Sequence, residues 1–284
     1  MINCNRLLQY AYLMRLHKPI GILLLLWPTL WALWLAAQGQ PQWKMVAIFV
    51  AGVVLMRSAG CIANDLADRQ FDGHVQRTRQ RPLVTGQVSV KAAIVLFCLL
   101  SLVAFSLVLL CNRLTVWLAV IGLGLAVFYP LMKRVTYFPQ AGLGLAFTWG
   151  IPMAFAAELD AVPWTGWLLF FTGALWPMIY DTFYAMVDRE DDIKVGIKST
   201  AILFGQFDRW IVGLLQVLFL ILLWMVGYLF RLNLFYEISL IGVSMLFLYQ
   251  QWLVQWRDRE HCFQAFLNNH WVGLVIFLGI VLGQ

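Results

Sequence analysis

Two short stretches hold most of the acidic side chains in a chain that has few of them. Eight of its fourteen Asp and Glu residues lie within 64–72 and 181–192. Successive helical positions turn by about 100°, so residues four apart are offset by only about 40°. Asn64, Asp68 and Asp72 therefore share one helix face, and Asp181, Tyr184, Asp188 and Asp192 share another. Like charges at this spacing repel, and a carboxylate drawn toward the centre of a bilayer costs about 2.5–3.5 kcal/mol, so each stripe requires a counter-charge. One such stripe reads equally well as a solvated acidic loop. Two with the same D-x-x-x-D spacing, each followed by Arg or Lys, favour a cation site. Carboxylates and an amide oxygen are hard ligands that suit Mg²⁺, which fills the rest of its shell from water and phosphate. Two facing stripes predict Mg²⁺ with a polyanion between them. A diphosphate fits, because it demands both metal and basic side chains and departs readily once its charge is neutralised.

Basic donors follow the stripes: Arg77, Arg79 and Arg81 after the first, Lys194 and Lys198 after the second, and the segment Tyr129-x-x-x-Lys133-Arg134 at the end of an apolar run. The general bias of Lys and Arg toward the cytoplasmic side of membrane proteins also accounts for them. Lys133, Arg134 and Lys198 are the stronger candidates because they border apolar helix ends. The five cysteines are scattered among apolar residues and read as small core side chains, and the four histidines as interfacial or hydrogen-bonded residues.

The elements that carry these groups are membrane helices. Of 284 residues, 62% are apolar and only 12% charged, which excludes an ordinary soluble domain. The net charge of +6 comes without a zinc finger, RNP motif or basic helix, so no nucleic-acid partner is expected. Nine apolar stretches are long enough to cross a bilayer, near 19–37, 45–63, 91–111, 114–130, 139–157, 164–181, 210–230, 235–254 and 263–282. The first reads as a membrane helix and not a cleaved signal. Sorting the flanking Lys and Arg onto alternate sides puts sixteen on one face against Lys44, Arg113 and Arg231 on the other, with Arg57 inside the second span. That asymmetry predicts a cytoplasmic N-terminus and a C-terminus on the opposite side. The long connections 64–90 and 182–209 both fall on the cytoplasmic face. They suggest two four-helix repeats, about 19–130 and 139–254, with 263–282 added, inside a single domain spanning 1–284.

At Asn64, Asp68, Asp72, Asp188 and Asp192 the sequence resembles the UbiA-type membrane prenyltransferases, whose two aspartate-rich motifs read N-x-x-x-D-x-x-x-D and D-x-x-x-D. Further stretches, including Lys18-Pro19-Ile20-Gly21, Leu26-Trp27-Pro28-Thr29-Leu30-Trp31-Ala32, Phe71-Asp72-Gly73-His74-Val75 and Gly196-Ile197-Lys198-Ser199-Thr200-Ala201, are similar to the bacterial members that act on 4-hydroxybenzoate in ubiquinone synthesis. The resemblance implies an all-α polytopic membrane enzyme with nine helices around a central cavity, capped by cytoplasmic segments, in the bacterial inner membrane. It implies Mg²⁺ held by Asn64, Asp68, Asp72, Asp188 and Asp192. The reaction implied moves a polyprenyl group from its diphosphate to the ring carbon of 4-hydroxybenzoate next to the hydroxyl. Arg77, Arg81, Tyr129, Lys133, Arg134, Lys194, Lys198 and Arg57 then become the substrate-binding candidates.

Three roles stay open at this stage. Arg134 or Arg57 would hold the acceptor carboxylate, and Asp188 or Asp191 would serve as the base. Arg57, alone in its span, would pair with a ligand, with Asp181, or snorkel to the interface. The acceptor could also be a different aromatic compound. A transporter for Mg²⁺ or an organic anion is the competing class, but it predicts polar residues near the midplane of several helices, whereas the acids here crowd one membrane face.

Overall fold

The computed structural model describes residues 4–70, 72–74 and 78–284, and among them the regular structure is entirely helical. The helices are α1 (Cys4–Leu13), α2 (Ile20–Ala36), α3 (Trp43–Asp68), α4 (Val90–Val108), α5 (Arg113–Val135), α6 (Pro139–Thr148), α7 (Gly150–Leu159), α8 (Trp164–Val195), α9 (Thr200–Phe204), α10 (Asp208–Leu229), α11 (Leu234–Leu253) and α12 (Arg259–Gly283). All nine apolar stretches fall on helix. Among the described residues, seven segments are long and apolar enough to cross a membrane: α3, α4, α5, α6 with α7, α9 through α10, α11 with its 3₁₀ extension, and α12. Helix α2 is apolar but only 17 residues long. Helix α8 is 32 residues long, but its Thr, Trp, Tyr, Pro and acidic residues lower its hydropathy.

The reason α8 tolerates polarity is its position. It packs against α6, α7, α10, α12 and α2, and the residues Trp176, Ile179, Tyr180 and Phe183 within it are almost wholly buried. A helix covered by protein on most sides needs no lipid-facing apolar shell. Close approach is made possible by glycine: a Cβ on Gly144 of α6 would lie 2.3 Å from the Ala174 carbonyl oxygen of α8. Helix α12 closes the ring, where the indole of Trp31 on α2 donates to the Gly273 carbonyl at 3.0 Å.

Several boundaries differ from the sequence expectation. The supposed connections 64–90 and 182–209 begin as helix, because α3 continues to Asp68 and α8 to Val195. The fifth span is broken at Trp149. Pro152 has no N–H for the Thr148 carbonyl, which ends α6 one turn earlier, and the Trp149 indole is anchored to the Leu118 carbonyl at 2.7 Å. The polar stretch ahead of the first span contains α1. With residues 78–89 it forms a small second core of Leu13, Ile62, Leu83, Val88 and Ala93, which seats the cap over the end of α3.

Candidate active site

Both acidic stripes reach one chamber. Its volume is about 770 Å³, with Asn64 and Asp68 of α3, Asp72 of the following 3₁₀ turn, and Asp181, Tyr184, Asp188 and Asp192 of α8 all in its wall. Continuation of both helices past the membrane-length segment keeps the four-residue spacing in phase, so each stripe stays on one side.

The carboxylates are held by cations from elsewhere in the chain. Asp68 is 2% exposed. One of its oxygens accepts from the Lys133 ammonium, while Oδ1 is buried with no hydrogen-bond partner. Arg81 reaches Asp72 Oδ2 at 2.6 Å and Asp65 Oδ1 at 3.0 Å. Burial pushes the Asp72 carboxyl above its ordinary range despite the guanidinium of Arg81 beside it. Asp65, off the face of the first stripe, is 1% exposed and also accepts from Arg15 Nη2 at 2.8 and 3.0 Å. Its proximity in sequence to Asp68 was the available signal. Arg15, Lys18 and His17 from the segment after α1 also line the chamber. Burial, with Lys18 and Arg15 nearby, holds His17 below the usual imidazole range.

Lys198 sits on a strut. Its backbone N–H donates to the Lys133 carbonyl at 3.1 Å, its ammonium to the Val135 carbonyl at 3.1 Å, and the ammonium lies 5.3 Å from the Tyr137 ring centroid. The next residues are stitched on as well. Thr200 N–H donates to Gln140 Oε1 at 3.2 Å, and the Thr200 and Thr182 hydroxyls are 2.7 Å apart. The Gly196–Thr200 turn thus fixes α8 to the α5–α6 connection and holds Lys198 beside the chamber.

Deeper in, Arg57 and Tyr129 lie where the chamber meets a second, apolar cavity of about 160 Å³ between α2, α3, α4, α5, α6 and α7. Arg57 Nη1 donates to Cys61 Sγ at 2.7 Å, its guanidinium lies 5.5 Å from the Phe147 ring centroid, and its Nε is buried without a partner. Cys61, expected to be a plain core residue, is part of the chamber wall.

Four described sequence candidates do not line the chamber: Asp191, Lys194, Arg134 and the exposed Arg79. Asp191 pairs with Arg259 at 3.4 Å and Lys194 at 3.7 Å, and Lys194 is 73% exposed. Arg134 is exposed and donates to the Ala67 carbonyl at the end of α3. Helical phase explains the first two, since Asp191 and Lys194 fall off the line through Asp188 and Asp192. Arg77 lies outside the described residues.

Among the described residues no three His, Cys, Asp or Glu side chains converge as a ready-made metal cage. The donors nevertheless suit Mg²⁺, which takes one or two carboxylates and completes its octahedron from water and substrate phosphate. The buried, unpartnered Oδ1 of Asp68 is a hard oxygen of the required kind.

Residues 25–276 match the UbiA prenyltransferase family. The chain belongs to that family. It is 58% identical over 283 residues to a 4-hydroxybenzoate octaprenyltransferase of Coxiella burnetii, covering 99% of both chains. A 4-hydroxybenzoate octaprenyltransferase of Hahella chejuensis is 59% identical over 277 residues, covering 98% of this chain and 92% of that one. Among solved structures, a UbiA homolog from Aeropyrum pernix superposes with a TM-score of 0.79 at 24% identity, over 92% of this chain and 96% of that one. A UbiA homolog from Archaeoglobus fulgidus bound to GPP and Mg²⁺ gives 0.73 at 17% identity, over 97% and 98%. These last two share the fold, while the family match, with the apolar helices, makes the chain an integral membrane protein and extends across most of the chamber-forming helices.

Proposed function

We propose that this UbiA protein transfers a polyprenyl group from its diphosphate to the ring carbon ortho to the hydroxyl of 4-hydroxybenzoate, with Mg²⁺, in ubiquinone synthesis. The observation that carries the proposal is the convergence of two acidic stripes, Lys133, Lys198 and Arg81 on one chamber that adjoins an apolar cavity. The octaprenyltransferase relatives, similar along nearly their whole length, support the same reaction.

In this reading Asn64, Asp68, Asp72, Asp188 and Asp192 hold Mg²⁺, which when bound neutralises charge on the departing diphosphate. Lys133, Lys198 and Arg81 supply hydrogen bonds to its oxygens. The allylic C–O bond breaks with its electron pair leaving on the diphosphate. The electron-rich ring then forms the new C–C bond. Asp188 is assigned the ring proton, because the other candidate base, Asp191, is engaged by Arg259 outside the chamber. Arg57, and not the exposed Arg134, is assigned the acceptor carboxylate. The prenyl chain runs into the apolar cavity past Tyr129, and the cap of α1 and residues 78–89 limits water that would hydrolyse the cation. The active site faces the cytoplasm at the bacterial inner membrane, on the side of the N-terminus, with nine crossings leaving the end of α12 on the other side.

Purified protein in detergent with Mg²⁺, a polyprenyl diphosphate and 4-hydroxybenzoate is expected to release diphosphate and form the prenylated acid. A chelator should stop both and added Mg²⁺ restore them. Uptake into sealed vesicles without turnover would overturn the proposal, and preferential prenylation of another aromatic compound would replace the acceptor.

A further inference from the structure

Resting on that reading, we infer that Tyr180 is a second ligand for the acceptor, its phenol hydroxyl sharing the carboxylate with Arg57. Tyr180 is in the chamber wall and only 1% exposed, and its hydroxyl is buried without a hydrogen-bond partner in the protein. A buried hydroxyl left unpaired is costly, and most such groups in folded proteins find a partner. Other buried aromatic side chains show that the fold is able to provide one. The Trp176 indole donates to Asn269 at 3.0 Å, and the Tyr236 hydroxyl to the Leu223 carbonyl at 2.9 Å.

The Tyr180 ring is held firmly. It meets Trp176 edge-on with centroids 5.3 Å apart and Phe266 at 6.0 Å, and Asn269, which fixes Trp176, donates in turn to the Ala265 carbonyl at 2.9 Å. A phenol held in this way and left unpaired is matched by the second incomplete group nearby, Arg57, whose Nε is also buried and unpartnered and whose charge lies within electrostatic reach of Tyr180.

Depth agrees with a shared ligand. Arg57 precedes Asn64 by seven residues on α3, about 10 Å of helix rise, and Tyr180 precedes Asp188 by eight on α8, about 12 Å. The two incomplete groups therefore lie at a similar depth beneath the two acidic stripes. A rigid aromatic acid with its polar groups at opposite ends would put its carboxylate on Arg57 and Tyr180 and turn its hydroxyl-bearing edge toward the diphosphate. The carboxylate then receives one charged and one neutral donor.

The test is Tyr180→Phe, which keeps the ring and removes only the hydroxyl. The KM for 4-hydroxybenzoate should rise about tenfold while the KM for the prenyl diphosphate holds, as expected for one lost hydrogen bond to a charged group. Preference for the acid over 4-hydroxybenzamide should shrink, and thermal stability without substrate should hold or rise. An unchanged KM and acid preference in the variant, with the parent protein active on the acid, would overturn this inference alone. Reduced thermal stability with both KM values raised would also overturn it, by showing a packing role. A parent protein inactive on every aromatic acid would instead overturn the proposed function beneath it.

Discussion

Asp68 joins three functions in one carboxylate: it belongs to the first stripe, pairs with Lys133, and keeps one oxygen unengaged. Removing its charge should disturb the reaction more than the fold. Asp68→Asn and Asp188→Asn are each expected to lower kcat at least about a hundredfold, the usual loss when a group stabilising transition-state charge is removed. Both should be measured as diphosphate release at saturating Mg²⁺, with the thermal transition in detergent followed in parallel. Near-normal rates would dismiss the metal assignment. At this scale the sequence was informative where helical phase was followed. Asn64, Asp68, Asp72, Asp188 and Asp192 all line the chamber. Asp191 and Lys194 are close to the second stripe in sequence but out of helical phase with it. Asp65 and Tyr180 were not legible, because burial and a missing partner are properties of the packed chain.

Among the elements, α8 is fixed near its C-terminal end by a clamp centred on one buried carboxylate. Asp208, at the start of α10 and 0% exposed, accepts from Arg189 of α8 and from Arg257 at 3.0 Å. Arg189 and Arg257 keep 24% and 40% of their surface exposed and can be rehydrated, so Asp208→Ala should destabilise the protein by about 1–2 kcal/mol, read as a lowered unfolding temperature. Next to it, Asp258 caps α12 by accepting from the His261 backbone N–H at 3.0 Å. That bond, with the His261 ring beside it, holds the Asp258 carboxyl below its ordinary range. A depressed folded value means that the cap contributes above the unfolded pKa of about 3.9 and is lost as pH falls through the lower folded value. Stability of Asp258→Asn, compared with the parent by thermal melts from neutral to acid pH, should therefore differ most near neutrality and converge in acid. All nine apolar stretches were legible as helix from hydropathy alone. The break at Trp149 was not, although Pro152 marks it in retrospect.

For the molecule as a whole, the chamber for charge and the cavity for hydrocarbon share Arg57, Tyr129 and Phe147 as their boundary. Gly52 of α3 lines the apolar cavity, and a Cβ built there meets nothing within 4 Å. Gly52→Phe should fold, occupy part of that space, and lower turnover of a long polyprenyl diphosphate several-fold relative to geranyl diphosphate. Product formation across a series of donors checks this, and equal loss for all lengths would remove the cavity from the chain's path. Gly124, equally open but outside both cavities, serves as the control for substitution itself.

The contact of α12 with α2 bears on how the protein is made. Trp31 and Gly273 are 242 positions apart, and the same glycine lies against Trp27 and Trp176. Both aspartate motifs are therefore synthesised before the helix that completes these contacts. Only when α12 arrives do Phe263 and Phe266 complete the chamber wall. A polypeptide ending before residue 259 would lack that wall and is expected to be inactive.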